Sequence, residues 1–320
     1  MRLGLTLFIL LLMLAKASLA QTYPVRSARI IVPWTAGGTA DLLARLTGQK
    51  LSSALGQPFV ADNRPGAGGL IGTDIVAKAP ADGYTLLLGT TAPNSVAPSL
   101  YKKIPFDPLK DFSYISLLAS TCYVLSVHPS LPANDVKALI RLAKTRNGSM
   151  NFSSPGIGTP NHLSGEMFKM HTGLDLQHVA YKGSAQAIGD VISGQITMSF
   201  ENIVVASTFV TSGRIRALAV TSAQRAPILP TVPTVAESGI RGFEAIGWFG
   251  LLAPAGMPKD LLTQLNMETI RALKSDDLSD RIRQLGAVLL PTSPEAFDQL
   301  NRQQVSLWAK VVKASGAVVE

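Results

Sequence analysis

The chain repeats one structural unit, in which a short apolar segment rich in β-branched residues leads through a glycine-rich turn into an amphipathic helical pattern. The first copy begins at residues 29–33, turns at residues 36–38 and continues in leucines that recur at three- and four-residue spacing up to Leu55. The second copy begins at residues 150–154 and turns at residues 155–160 before another helical pattern. Because strands that alternate with helices typically build parallel sheets covered by helices, the sequence predicts an α/β fold with parallel strands.

The chain is long enough for two lobes. A length of 320 residues fits one large domain or two domains of average size. A second series of strand and helix patterns starts near residue 123 and ends in a long apolar run at residues 243–253. The three helical patterns that follow contain no strand pattern, and we expect them to pack back on the first block. The sequence thus predicts two α/β lobes, with the chain crossing between them near residues 115–127 and 243–253. Lobe 1 would consist of residues 21–122 and 244–320, and lobe 2 of residues 123–243.

The first twenty residues carry the three parts of a secretory signal peptide. Arg2 gives a basic start, residues 3–14 are an almost continuous apolar run, and small residues precede Gln21 as they do at a cleavage site. A membrane anchor is the alternative, but a spanning helix needs about 20 apolar residues and Lys16 interrupts this run. We therefore expect a cleaved signal peptide over residues 1–20, a mature chain that starts near Gln21 and a periplasmic location.

Composition and motifs argue against several classes of function. A single cysteine, Cys122, rules out an intrachain disulfide framework, and four scattered histidines leave little for a metal site. Neither a phosphate-binding P-loop nor a G-x-S-x-G nucleophile turn occurs in the sequence. Lysine and arginine are spread along the chain without an arginine-rich run, so the net charge of +8 gives little reason to expect nucleic acid as a partner. We expect no enzyme activity, no cofactor and no metal.

Three glycine-rich turns lead into helical patterns, and they indicate a binding site. They are residues 34–41, 66–69 and 155–161. Glycine lets the backbone approach a ligand closely, and the start of the following helix offers unpaired N–H groups and a partial positive charge. In open α/β sheets such turns lie at the carboxyl ends of the strands, where ligands bind. The turns therefore predict an anion-binding cleft, although each is also compatible with a tight corner and no more.

Short segments spread over nearly the whole mature chain carry a family resemblance. They include Ile31-Val-Pro-Trp-Thr-Ala-Gly-Gly-Thr-Ala-Asp-Leu-Leu-Ala-Arg45, Asn63-Arg-Pro-Gly-Ala-Gly-Gly69, Asp82-Gly-Tyr-Thr85, His178-Val-Ala-Tyr-Lys-Gly183 and Pro233-Thr-Val-Ala-Glu-Ser-Gly239. On these segments the chain resembles the Bug family of extracytoplasmic solute receptors, the substrate-binding proteins of tripartite tricarboxylate transporters. It departs from the family pattern near the expected cleft, with Trp34 in place of Phe, Thr39-Ala40 where Pro or Ser with Thr is common, and Glu201 where Asp is usual.

The resemblance implies a two-lobed periplasmic binding protein of the type II class, which closes around its ligand on a hinge. It implies a receptor that captures a small organic carboxylate and delivers it to the membrane components of a tripartite tricarboxylate transporter. We expect a monomer, in which backbone N–H groups of the glycine-rich turns hold the carboxylate. Carried over position by position, the ligand-binding residues would be Trp34, Ala36, Gly37, Gly38, Asp41, Ala67, Gly68, Gly69, Thr90, Thr91, Ser154, Gly158, Thr159, His162, Tyr181 and Asn202.

Other interpretations stay open at several of these positions. Asp41 is equally compatible with capping its helix, His162 with a bond to the loop backbone, and Trp34 with a place in the core. Lys182 is compatible with a solvent-exposed strand end. The function has two alternatives as well: a receptor that presents its ligand to a membrane sensor protein, and an exported enzyme on the same scaffold.

Overall fold

The computed structural model of the protein describes residues 23–146, 148–181 and 183–319. The predicted signal peptide and Lys182 lie outside the described residues. The strands are β1 (Ala28–Val32), β2 (Phe59–Asn63), β3 (Thr85–Thr90), β4 (Phe112–Val127), β5 (Asn151–Ser154), β6 (Gln177–Ala180), β7 (Met198–Asn202), β8 (Arg216–Val220), β9 (Ile246–Pro254) and β10 (Val288–Leu289). The helices are α1 (Thr39–Leu55), α2 (Leu70–Ala77), α3 (Ala97–Leu100), α4 (Val136–Thr145), α5 (Pro160–Thr172), α6 (Ser184–Ile192), α7 (Ile203–Thr211), α8 (Lys259–Leu273), α9 (Asp276–Gln284) and α10 (Pro294–Ser315).

All ten strands of the described residues belong to one mixed sheet. Its order is β2-β1-β3-β9-β4-β7-β5-β6, and β8 and β10 also pair with β4. β1 is parallel to β2 and β3, and β5 is parallel to β6 and β7. β4 and β9 run antiparallel to their neighbours. The predicted α/β fold is confirmed, and β1 to β3 and β5 to β7 include the parallel pairs that the sequence predicts, whereas the antiparallel direction of β4 and β9 is not predicted. A strand buried on both faces is a continuous apolar run, and that run does not reveal the direction of its neighbours.

Strand β4 carries the chain from one group of strands to the other. It is 16 residues long, and from Phe112 to Cys122 it pairs with β9. From Tyr123 onward it pairs with β7 and β8. The strands therefore form two lobes: lobe 1 contains β1, β2, β3, β9, β10 and the first part of β4, and lobe 2 contains β5 to β8 and the last part of β4. β4 and β9 are the two crossing segments that the sequence predicts.

Helix α1 illustrates how the sequence fixes the elements around the later site. It buries Leu43 and Leu51 in the core of lobe 1, at the spacing that indicates an amphipathic helix. Gly48 lets the helix pack closely on β2, because a Cβ there would lie 2.6 Å from the carbonyl oxygen of Phe59. The helix ends at Gly56, which has a φ of 74° and donates its N–H to the carbonyl oxygen of Ser52. This packing holds the start of α1 at the carboxyl end of β1.

The C-terminal helix α10 packs on both lobes. The ring of Phe297 packs edge-on against Tyr114 and Trp248 of lobe 1, with ring centroids 4.8 and 5.2 Å apart. Further along the helix, Trp308 lies in the same core as Phe152 of lobe 2. Helix α10 therefore packs on lobe 1, as expected, and also on lobe 2, which was not expected, because a 22-residue helix is about 33 Å long and reaches both. The terminal region also contributes the short strand β10, which the sequence does not predict.

Candidate ligand-binding cleft

A cleft of about 370 Å³ lies between the two lobes. Its walls come from the start of α1 and the segment after β3 in lobe 1, from the start of α5 and the end of β7 in lobe 2, and from the crossing strands. The described residues that line it carry no formal charge, and most bear a hydroxyl group or an aromatic ring. They are Trp34, Thr35, Gly38, Thr39, Ala40, Thr90, Thr91, Ala92, Thr121, Tyr123, Thr159, Pro160, Asn161, Asn202, Gly247, Trp248 and Phe249.

The crossing strands β4 and β9 form the floor of the cleft. Thr121 and Tyr123 are two residues apart on β4 and therefore share one face of the strand, and Gly247 is the β9 partner of Thr121. A Cβ at Gly247 would lie 2.7 Å from the Tyr123 hydroxyl, so glycine keeps this part of the floor open. Asn202 Nδ2 donates to Thr121 Oγ1 over 3.1 Å and ties the end of β7 to the floor.

The first glycine-rich turn presents the start of α1 to the cleft. The N-cap of α1 is Gly38, which has no side chain that could bond the first N–H groups of the helix. Gly38, Thr39 and Ala40 all line the cleft. The unpaired N–H groups and the positive end of the helix dipole are therefore available to a bound anion.

Asp41 fixes this turn from behind. Its carboxylate accepts the N–H of Gly37 over 3.0 Å and pairs with Arg45 over 2.9 Å. The hydrogen bond from Arg45, helped by the bond from Gly37, lowers the pKa of Asp41, which is therefore ionised at neutral pH. Asp41 does not line the cleft, and its bonds match the interpretation that it serves its own turn.

Hydrogen bonds hold the lobe 1 wall beside α1. Trp34 Nε1 donates to Thr90 Oγ1 over 3.1 Å, and the backbone N–H of Trp248 donates to Thr91 Oγ1 over 2.8 Å. Because Thr91 Oγ1 accepts this bond, its hydroxyl proton is left for another acceptor. A π-helical turn, Ala92–Val96, follows directly, and such turns are frequent at functional sites.

The turn after β5 presents the start of α5 from lobe 2. Thr159 is the N-cap of α5, and its Oγ1 accepts the N–H of His162 over 3.3 Å. His162 Nδ1 in turn accepts the N–H of Gly158 over 3.1 Å. Pro160 is the first residue of the helix and has no N–H, which leaves the N–H of Asn161 as the first donor of α5.

A stacked pair of histidines supports this turn. The rings of His162 and His178 lie 3.9 Å apart, and Ser154 Oγ bonds His178 Nε2 over 2.7 Å. Burial lowers the pKa of His162 to about 3, with a further effect of His178 and Lys169, and burial lowers the pKa of His178 to about 4. Both rings are neutral near pH 7, so they hold the turn in shape and add no charge to the cleft.

Tyr181 and the turn Ala67–Gly69, which are also predicted to bind the ligand, make contacts within their own lobe. The hydroxyl of Tyr181 donates to Asp190 on α6, and burial together with this bond raises the pKa of Tyr181 to about 12. The turn Ala67–Gly69 precedes α2, and a Cβ at Gly69 would lie 3.4 Å from the ring of Trp34. This turn therefore packs against Trp34, and its residues do not line the cleft.

Six of the sixteen predicted ligand-binding residues line the cleft, namely Trp34, Gly38, Thr90, Thr91, Thr159 and Asn202. The other ten lie in the turns and strand ends around it, and they are Ala36, Gly37, Asp41, Ala67, Gly68, Gly69, Ser154, Gly158, His162 and Tyr181. The ten therefore surround the cleft without lining it, and the assignment of all sixteen to ligand binding stays a prediction.

Sequence reasoning missed the floor of the cleft. Thr121, Tyr123, Gly247, Trp248 and Phe249 all line it. One signal was present in the sequence, because Thr121 is a polar residue inside a largely apolar run, and the structure buries it. A buried hydroxyl needs a hydrogen-bond partner, and Asn202 supplies one.

The arrangement is chemically suited to a small anion with an uncharged body. The starts of α1 and α5 approach the cleft from opposite lobes, and each carries about half a positive charge. Trp34, Tyr123 and Phe249 offer flat apolar surface. Within residues 23–146, 148–181 and 183–319, no group of three His, Cys, Asp or Glu side chains could hold a metal ion.

Comparisons with known proteins agree with this fold. A family model described as "Tripartite tricarboxylate transporter family receptor" (TctC) matches residues 43–317. Protein BugT of Bordetella pertussis is 38% identical over 299 residues, which are 93% of this chain and 92% of BugT. The structure titled "R. palustris Rpa4515 with adipate" is 38% identical with a TM-score of 0.81, and the match covers 92% of this chain and 99% of that one. MatC from Rhodopseudomonas palustris, solved with bound malate, is 31% identical with a TM-score of 0.77 and covers 91% and 100%.

Fold and cleft together define a two-lobed periplasmic binding protein. The chain belongs to the tripartite tricarboxylate transporter receptor family, and the resemblance to the Bug proteins is confirmed. The family is one of periplasmic solute-binding receptors, and this chain is a receptor of that kind. None of the helices that the described residues form combines the length and the apolar character needed to cross a membrane.

Proposed function

We propose that the protein captures a small organic carboxylate in the cleft between its lobes and delivers it to the membrane components of a tripartite tricarboxylate transporter. The observation that carries the proposal is the meeting of two helix starts, those of α1 and α5, at a cleft whose described lining residues are uncharged. Two relatives of similar fold were solved with adipate and with malate, both dicarboxylates, and this supports a carboxylate here.

Backbone groups would supply most of the recognition. Thr39 and Ala40 are the first residues of α1, and their N–H groups have no partner within the helix. The N–H of Asn161 is the first donor of α5. The hydroxyl of Thr91 adds a donor from the lobe 1 wall. Hydrogen bonds to an ionised carboxylate are about twice as strong as neutral ones, so a few such donors give useful affinity without an arginine.

The lobes would close on the ligand, with lobe 1 formed by residues 21–122 and 244–320 and lobe 2 by residues 123–243. In support, β4 changes partner from β9 to β7 between Cys122 and Tyr123. A ligand that contacts both lobes stabilises the closed form by its higher affinity for that form.

We also propose that the protein acts on its ligand by binding alone, as a periplasmic monomer. Among the residues that the structure describes, the cleft lining contains threonines but no histidine, lysine, aspartate or glutamate that could activate them as nucleophiles. A ligand recovered unchanged after long incubation would support this. For export, we propose removal of residues 1–20, and N-terminal sequencing of periplasmic protein should find a start near Gln21.

Mass spectrometry of the compounds that co-purify with the protein, followed by calorimetric titration, tests the central function. We expect a small carboxylate among those compounds and binding of at least one member of a panel that includes adipate and malate. Amides of the same acids are the matched controls, and they should bind much more weakly because they carry no charge. Equal affinity for acid and amide would overturn the proposal.

A receptor for a membrane sensor is the alternative role for the same cleft. It makes the same prediction for the ligand, and differs in the partner that the loaded protein binds. A pull-down of membrane proteins with and without the carboxylate distinguishes the two roles.

A further inference from the structure

A buried carboxylic acid lies directly behind the lobe 2 wall of the cleft. Glu201 is near the end of β7 and is 1% exposed. It does not line the cleft, but it bonds two residues that do. Asn161 Nδ2 donates to it over 3.1 Å, and the backbone N–H of Asn202 donates over 2.8 Å. Glu201 therefore joins the start of α5 to the end of β7, the two lobe 2 elements that face the ligand.

The hydrogen bonds of Glu201 are unevenly shared between its two oxygens. Asn161, Asn202 and Ser184 Oγ, at 3.2 Å, all donate to Oε1. No described residue donates to Oε2. A protonated acid can carry its proton on Oε2 while Oε1 keeps all three of these donors. Burial raises the pKa of Glu201 to about 7, although the three hydrogen bonds act in the opposite direction.

The other groups around Glu201 do not compete for this proton. Within the described part of the chain, Tyr123 on β4 is the titratable group that faces Glu201, and burial together with the nearby Glu201 charge raises the pKa of Tyr123 far above neutrality. The contacts from α5, α6 and the start of α7 are Asn161, Ser184 and Asn202, none of which titrates. His162, next to Asn161 on α5, is neutral and stacks on His178.

We propose that Glu201 is a positioning residue of the ligand site, and that the protein takes up one proton at Glu201 when it binds a carboxylate. This inference rests on the proposed function. Glu201 lies behind Asn161 as seen from the cleft. If Glu201 were ionised, its negative charge would therefore repel an anion bound at the start of α5. Protonation removes that repulsion while Oε1 keeps its three donors. The proton comes from solvent, so ionised receptor, proton and ligand anion combine into one complex.

Proton uptake at Glu201 makes the affinity for a carboxylate fall as the pH rises. Below the pKa of Glu201 in the free protein the acid is already protonated, and the affinity does not change with pH. Above it, binding requires proton uptake, and the affinity falls by up to about tenfold per pH unit. The affinity should therefore be higher at pH 6.5 than at pH 8.5, a range in which simple carboxylates stay ionised.

Side-chain length also matters in the proposal. Aspartate is one methylene shorter than glutamate, and Asn161 bonds Glu201 at 3.1 Å. Glu201→Asp should keep the charge near Asn202 but lose the bond to Asn161. Glu201→Gln keeps the length and an oxygen acceptor but cannot ionise. Comparing the two variants therefore separates the effect of the Asn161 position on affinity from the effect of the Glu201 charge.

Calorimetric titration with adipate at pH 6.5 and 8.5, in buffers of different ionisation enthalpy, tests the inference. We expect the wild type to take up close to one proton per adipate at pH 8.5 and to bind at least tenfold more weakly there than at pH 6.5. Glu201→Gln should take up none and bind equally at both pH values. Glu201→Asp should bind more weakly at both, because Asn161 is released.

Two control variants test whether the proton binds at Glu201 and not at a neighbouring ionisable group. Glu166→Gln removes another buried acid of lobe 2, which pairs with Lys169 on α5 and does not line the cleft. Lys182→Met removes a lysine that lies outside the described residues but only two positions before Ser184 in the chain. Both variants should keep the proton uptake of the wild type.

Equal proton uptake by wild type and Glu201→Gln would overturn the inference while leaving the receptor function intact. Loss of the uptake in Lys182→Met would also overturn it. If no carboxylate of the panel bound at any pH, the proposed function would fail, and the coupling with it. The pH dependence of stability without ligand would then still report separately on the buried acid.

Discussion

Leu100 fills the space beside Gly158 so closely that a Cβ on Gly158 would come within 2.0 Å of Leu100 Cδ2. Leu100 is the last residue of α3, in the lobe 1 wall, and Gly158 belongs to the turn that precedes α5 in lobe 2. The two lobes therefore touch through a contact in which any residue larger than Gly158 would force Leu100 to move. We interpret this contact as one of those that define the closed form.

Gly158→Ala should act as a wedge between the lobes. The added methyl group collides with Leu100, so the closed form becomes less favourable and the affinity for adipate should fall at least tenfold. Small-angle X-ray scattering should find that adipate reduces the radius of gyration of the wild type but not of this variant.

Gly173→Ala is the matched control for the wedge. Gly158 and Gly173 have similar positive φ values of 75° and 67°, so alanine strains the backbone at both, but a Cβ at Gly173 has no atom within 4 Å. The control should lose about 1 kcal/mol of stability and keep its affinity. An unchanged radius of gyration in the wild type at saturating adipate would mean that the lobes do not close.

Asp41→Ala separates support of the turn from contact with the ligand. We expect a loss of stability of about 1–2 kcal/mol, because the Gly37 N–H and Arg45 lose their partner, and a loss of affinity below tenfold. Asp41→Asn keeps an acceptor for Gly37 and should recover much of both. Thermal unfolding and calorimetric titration of the two variants check this. A loss of binding as large in Asp41→Asn as in Asp41→Ala would instead indicate that the charge itself takes part in binding.

Glu201→Gln should change the pH dependence of stability without ligand. The pKa of Glu201 is raised in the folded protein from 4.5 to about 7, so its contribution to stability is complete below about pH 4.5 and is lost as the pH rises through 7. The variant should match the wild type near pH 4.5 and exceed it by on the order of 2–3 kcal/mol at pH 8. Urea unfolding at both pH values measures the difference.

Two histidines make this difference measurement necessary. The lowered pKa values of His162 and His178 mean that the unfolded state binds more protons below pH 6.5, so their contribution makes stability rise with pH. The trend from the histidines is opposite to the trend from Glu201. Because both proteins contain the two histidines, subtracting the stability curve of Glu201→Gln from that of the wild type removes the histidine contribution. Identical curves for wild type and variant would contradict the assignment of a buried, protonated acid.

The fold could largely be predicted from the sequence because its elements are locally encoded. The leucine spacing of α1 and the glycine that ends it indicate a helix, and the structure has one at Thr39–Leu55. The direction of β4 and β9 could not be predicted, since an apolar run describes burial and not the neighbouring strand. The double contact of α10 was missed for a similar reason, because its apolar face does not indicate which lobe it covers.

The cleft was predictable where its chemistry lies in turns. Gly38 and Thr159 precede helices, and glycine or an N-cap threonine in that position is visible in the sequence. Thr121 and Gly247 were not found, because they are brought together only by the pairing of β4 with β9. Contacts between residues more than 100 positions apart leave no trace in local periodicity. The bond between Glu201 and Asn161, which are 40 positions apart, lies outside local periodicity as well.

Gly68→Val would be a poor test of the backbone cradle, although Gly68 lies in a glycine-rich turn. Gly68 has a φ of 65°, and a Cβ there would lie 2.7 Å from the hydroxyl of Tyr101. A loss of binding in that variant would follow from strain alone. Gly38 is the better site, because its φ of −83° suits any residue and a Cβ would meet only the carbonyl oxygen of Thr35, at 3.9 Å.

Calorimetric titration of adipate into wild type and Gly38→Val tests the central claim most directly. The valine side chain fits the fold but occupies the space in which a carboxylate would approach the first N–H groups of α1. We predict a loss of at least about 2 kcal/mol, or roughly 30-fold in affinity. Gly189→Ala is the control, since a Cβ at that glycine of α6 has no atom within 4 Å, and it should bind as the wild type does. Wild-type affinity in a folded Gly38→Val variant would contradict the account that backbone N–H groups at the start of α1 hold the ligand.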